Sequence, residues 1–164
     1  MHKNAIKTLF LAFTLLFSCV AISETLSFED AKKQISSKLN CDQEKVTPAS
    51  FGYGALYGCI SGGAETAKVF INEEAATGKV ENIKVMWNDW FKDVGFGLHP
   101  DKKEAQKYLE VVSSLFTPSI SKDLNESFFN TSKNKSFQTD KFNVKYTYNK
   151  GPAIAERLIT ISPK

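Results

Sequence analysis

The apolar residues of this chain follow two periods, and the switches between them mark most of its elements. Across 102–116 they fall at Ala105, Tyr108, Leu109, Val112, Leu115 and Phe116. That three-four spacing lays one stripe along a helix of 3.6 residues per turn, with Lys102, Lys103, Gln106, Lys107 and Glu110 opposite. Asp101 reads as the N-cap and Glu104 as its capping-box partner, and Pro118 stops the helix. A shorter stripe of Phe28, Ala31, Ile35 and Leu39 predicts a first helix over 27–40, capped by Ser27. Ile120, Leu124 and Phe128 fit a further short helix within 119–130.

The period of two appears five times. Residues 51–60 alternate Phe51, Tyr53, Ala55, Tyr57 and Cys59 with Gly52, Gly54, Leu56, Gly58 and Ile60. Glycine inside a strand marks a bulge or a close approach, so a helix is expected over that bare face, the alternative being a flat surface on which a partner's chain lies. Ser61-Gly62-Gly63 turns the chain into a second strand at 64–71, and 80–87 forms a third with Ile83, Val85 and Trp87 inward. Residues 137–148 alternate Phe142, Val144, Tyr146 and Tyr148 with polar neighbours, and 154–161 return as the hairpin partner. The polar segments 42–50 and 131–136 read as loops. The expected fold is therefore α+β, in the order α-β-β-β-α-β-β. It is an antiparallel sheet of about five strands with two main helices packed on one face.

The stretch 88–99 breaks both periods. It carries Trp90, Phe91, Phe96 and Leu98, although connecting loops are usually polar. Either these aromatics tuck under the sheet or they face a partner, and Trp90, Phe91, Phe96 and His99 are the candidate partner-binding residues. Large aromatics dominate binding hot spots.

The N-terminus changes the picture of composition. Lys3 and Lys7 precede an apolar run from Leu9 to Phe17, too short to span a membrane, and Ala21-Ile22-Ser23 carries small residues at the −3 and −1 positions. Residues 1–23 read as a signal peptide cleaved before Glu24, leaving 24–164 as one α+β domain that is periplasmic or secreted. The rival reading takes Leu16-Phe17-Ser18-Cys19 as a lipoprotein signal, with acylation at Cys19. Removing 1–23 leaves nineteen basic residues against eighteen acidic ones, so the net +3 of the whole chain falls to +1. That balance gives no electrostatic footprint for nucleic acid. No later apolar run is long enough for a transmembrane helix. Expected partners are a protein, a peptide or an envelope component.

Cys41 and Cys59 remain as an even pair in an oxidising compartment, and a disulfide follows. Two cysteines and one distant histidine make no zinc site, and no metal or cofactor is expected. His99 is the single histidine after residue 23. It supports the alternative to a non-catalytic binding module: a small hydrolase-like enzyme in which His99 works with Asp89 or Asp93. That reading requires the side chains to converge. Arg157, between Ala155 and Ile159 on one strand face, is expected to be partly buried and paired.

Overall fold

The computed structural model describes residues 26–164 apart from Val94. The predicted signal peptide, the cleavage before Glu24 and the acylation at Cys19 all lie outside the described residues.

Helix α1 (Phe28–Ser36) is the first element among the described residues, and the Ser27 side chain accepts the Asp30 amide as its cap. Four strands follow, β1 (Gln43–Thr47), β2 (Leu56–Ser61), β3 (Ala67–Glu73) and β4 (Val80–Trp90). Helix α2 (Lys102–Phe116), a short 3-10 turn and helix α3 (Ser121–Asn130) cross over to β5 (Lys135–Gln138), β6 (Phe142–Lys150) and β7 (Ile154–Pro163). All seven strands form one antiparallel sheet in the order β1-β2-β3-β4-β7-β6-β5. Two meanders, one from each side of the helical crossover, are joined where β7 pairs with β4.

The fold class matches the expectation, while among the described residues there are seven strands and three helices in place of about five and two main ones. Both additional strands are edges. β1 occupies part of 42–50 and β5 part of 131–138, and both are largely exposed. An edge strand in solvent shows little apolar alternation, so its pairing is a backbone event that the side-chain pattern does not announce. The short helix expected within 119–130 forms as α3, with Leu124 and Phe128 fully buried.

The strand predicted at 51–60 starts only at Leu56, because Phe51 and Gly52 take positive φ and turn the chain. Phe51 and Tyr53 are exposed. The glycine face is not covered by a helix. Tyr57 and Cys59 face the helices, while Gly58 sits on the other side beneath the Phe70 ring, where a Cβ would lie 3.3 Å from the ring carbons. An aromatic from the neighbouring strand fills the space that the glycine leaves.

The core lies between the sheet and the helices. α1 contributes Phe28, Ala31 and Ile35, and α2 contributes Ala105, Tyr108, Leu109, Val112 and Phe116. They pack against Val85, Trp87, Val144 and Ile159, all at most 2% exposed. Each large side chain so buried stabilises the fold by about 1.5–3 kcal/mol before its ordering entropy is subtracted. Cys41 and Cys59 are joined, Cα to Cα 5.3 Å, and tie the segment after α1 to β2. Closing a loop of this length restricts the unfolded chain by about 3 kcal/mol in the chain-entropy account. Beside it the Tyr57 hydroxyl donates to Glu44, and burial, then this hydrogen bond, push the phenol above its ordinary pKa.

Among the described residues no helix is long and apolar enough to cross a membrane.

Candidate functional site

The site is the connection from β4 to α2, residues 91–101, with the strand ends that carry it. β4 is longer than its apolar pattern predicts. It runs on through Asn88, Asp89 and Trp90 because these residues pair with Glu156, Ala155 and Ile154 of β7. Strand alternation then sends Asp89 to the helix side and Trp90 to the opposite side.

Asp89 is 4% exposed and would be unstable there as a lone charge. It is answered from two sides. Arg157 Nε donates to Oδ2 at 2.9 Å, and His99 Nδ1 lies 2.5 Å from Oδ1. Arg157 reaches this point from β7, at the position paired with Trp87. Its Nη1 contacts the carbonyls of Phe128 at 2.9 Å and Thr131 at 3.1 Å, at the end of α3. A cation among the unpaired carbonyls of a helix C-terminus is favourably placed. The guanidinium also lies 5.0 Å from the Tyr148 ring centroid and 5.9 Å from that of Trp87. The Tyr146 hydroxyl, which donates to Thr131 O, accepts from Arg157 Nη1 at 3.2 Å. Burial raises the Tyr146 pKa, and the neighbouring Arg157 opposes that shift.

His99 comes back to the sheet at the far end of the loop. Its amide donates to Trp90 O at 2.7 Å, and its backbone sits at φ 53°. Its side chain is half exposed. With Asp89 accepting at Nδ1, the neutral ring presents the Nε2 lone pair, the form a general base requires. Among the described residues, however, no serine, threonine or cysteine is hydrogen-bonded to that ring.

Pro100 and Asp101 complete the landing. Trp87 Nε1 donates to Pro100 O at 2.9 Å. Asp101 does precede α2, but its side chain does not cap it, and its φ is 53°. The carboxylate turns to the β2–β3 connection instead, accepting the Thr66 amide at 2.9 Å and standing 3.0 Å from the Thr66 hydroxyl. The capping box drawn from sequence spacing is thus replaced by a longer-range contact. Gly62, at φ +96°, makes room for it, since a Cβ there would sit 2.0 Å from the Asp101 carboxyl carbon.

At the tip, Asp93 is not part of any acid–base pair. Its Oδ1 accepts the amides of Gly95 at 2.8 Å and Gly97 at 2.9 Å. Those backbone donors, Gly95 first, hold its pKa below the usual carboxylate value. Phe96 and Leu98 are 60% and 61% exposed, whereas Trp90 and Phe91 are half-buried, with Lys150 Nζ 5.2 Å from the Phe91 ring centroid.

The structure thus brings together His99 and Asp89, leaves Asp93 apart, and adds Arg157, Tyr146 and Tyr148. Arg157 was legible from its place in the strand pattern. The tyrosines read only as core, and nothing in their spacing pointed to a guanidinium. Comparison of the chain with protein families, with curated proteins and with solved structures finds no match.

Proposed function

We propose that this chain is an exported, non-catalytic binding module, clamped by its Cys41–Cys59 disulfide, that presents the 91–99 loop to a protein, peptide or envelope component. The observation that carries the reading is the exposure of Phe96 and Leu98 on a loop whose two ends are fixed. Asp93 ties the tip to itself, and His99 ties its end to Asp89 and Trp90 O. A preformed loop loses little conformational entropy on binding, so apolar contacts made there are retained as affinity. The first test is Phe96→Ser with Leu98→Ser, compared with the unaltered protein in cross-linking to envelope material from the native source. The double variant is expected to keep its melting temperature and lose at least tenfold in captured partner; equal capture by both proteins would refute this surface. Mass spectrometry of the mature protein tests export separately, as a free Glu24 N-terminus against an acylated Cys19.

One observation favours a second reading, a hydrolase-like centre: the half-exposed His99 ring bonded to a buried carboxylate. It would act as a general base on water, since no side-chain nucleophile adjoins it among the described residues. Hydrolysis of ester and amide substrates that disappears in His99→Gln, with folding intact, would select this reading over the first.

A further inference from the structure

The helices all pack on one face of the sheet, and among the described residues no element covers the other. Strand alternation and register show what that face carries. One line crosses the whole sheet through paired positions: Lys45 opposite Gly58, then Phe70, Lys84, Thr160, Lys145 and Ser136. The next line, two residues along each strand, holds Lys68, Met86 and Leu158. Lysine is therefore present on β1, β3, β4 and β6, while Glu156 is the one acidic residue among the open-face positions of the seven strands. None of the four lysines joins an ion pair among the described residues. The whole chain sets twenty-one basic residues against eighteen acidic ones, so this concentration of cations is local to the face. Phe70, Met86 and Leu158 are half-buried beside them. Lysine stems lying along such side chains keep the ammonium groups raised toward solvent.

We propose that this open face docks an acidic amphipathic helix of a partner protein. Lys45 to Lys145 spans five strand spacings, about 24 Å, the length of roughly sixteen helical residues. The two lines are about 7 Å apart along the strands, a strip one helix wide. A helix laid across it sets apolar side chains on Phe70, Met86 and Leu158, and carboxylates on its flanks reach the lysines. A polysaccharide or a nucleic acid would satisfy the cations but has little to place on Met86 and Leu158. The surface is distinct from the 91–99 loop, and the inference does not rest on that loop's role.

The test uses the purified, oxidised protein and an eighteen-residue synthetic helix carrying leucine on one face and glutamate on the rest. Two competitors accompany it: the same peptide with lysine in place of glutamate, and a single-stranded oligonucleotide. Saturable binding of the glutamate peptide alone is expected, weakening as salt is raised. It should fall at least tenfold in Lys68→Glu/Lys84→Glu/Lys145→Glu, and severalfold in the milder Lys84→Gln/Lys145→Gln, both with native circular dichroism. The milder pair decides the matter if the triple variant fails to fold. Absence of saturable binding, binding that ignores the substitutions, or tighter binding of the oligonucleotide or the lysine peptide would overturn the proposal.

Discussion

At the base of the β4–α2 connection a carboxylate is buried between an arginine and a histidine; four residues further on, at the tip, another carboxylate is held in open solvent by two backbone amides. Asp89 is fixed by side chains that come from β7 and from the far end of the loop. Asp93 is fixed by its immediate neighbours Gly95 and Gly97. The first arrangement needs the whole fold to be in place before its partners meet, and the second needs only a turn. A long-range, buried pair is coupled to global stability, whereas a local, exposed one shapes only the segment it closes. The base therefore belongs to the core, and the tip is free to change or to bind without unfolding the molecule.

The largest effect is expected at Arg157. Its replacement by leucine leaves Asp89 buried with no guanidinium and removes the donor that meets the α3 carbonyls. Breaking one side of a buried pair in this way destabilises by about 3–5 kcal/mol, measured as a lower midpoint in urea unfolding. Adding Asp89→Asn should recover a substantial part of the loss, because the orphaned charge is then gone. If Arg157→Leu unfolds at the same urea concentration as the unaltered protein, the distinction between base and tip fails.

A smaller effect is expected where the base meets α2. Gly62→Ala forces a side chain into positive φ and against the Asp101 carboxyl group. The strain and the displaced Thr66 contacts together are worth on the order of 2 kcal/mol. Asp101→Asn, which keeps the shape and removes the charge, should lose less. Equal losses in the two variants would mean that charge, not space, governs this contact.

This division also separates what the sequence reveals from what it hides. The 3.6-residue stripe of α2 and the alternation in β4, β6 and β7 are written in residues such as Leu109, Val85 and Ile159, whose burial is their role. The Cys41–Cys59 bond is legible from the even pair left once Cys19 is set aside, given an oxidising compartment. The edges β1 and β5 escape notice because Gln43, Glu44 and Lys45, or Lys135 and Ser136, bury almost nothing and contribute backbone pairing. The capping box at Asp101 is misread for a related reason. Local spacing favours the helix end, but Thr66, thirty-five residues earlier in sequence, brings a competing donor pair that only the folded chain supplies. At the site, the approach of His99 to Asp89 could be named as a requirement, but its fulfilment depends on β4 running three residues past its apolar pattern. That extension is set by the pairing with β7, not by any property of Asn88, Asp89 or Trp90 themselves.

The smallest effect, and the one that isolates the tip, is the titration of Asp93. Its folded pKa lies below the usual carboxylate value because the Gly95 and Gly97 amides stabilise the ionised form. A depressed pKa means that the contribution is fully present above the ordinary carboxylate value and fades as pH falls through the lower, folded one. The amide resonances of Gly95 and Gly97 should therefore move together in that acid window, with a midpoint below that of a solvated aspartate. In Asp93→Asn the common transition should vanish while the melting temperature at neutral pH stays that of the unaltered protein, as for other surface changes. A transition that persists in the variant would assign it to another carboxylate. A marked loss of global stability would show instead that the tip is coupled to the Asp89 cluster, and that the two carboxylates belong to one cooperative unit after all.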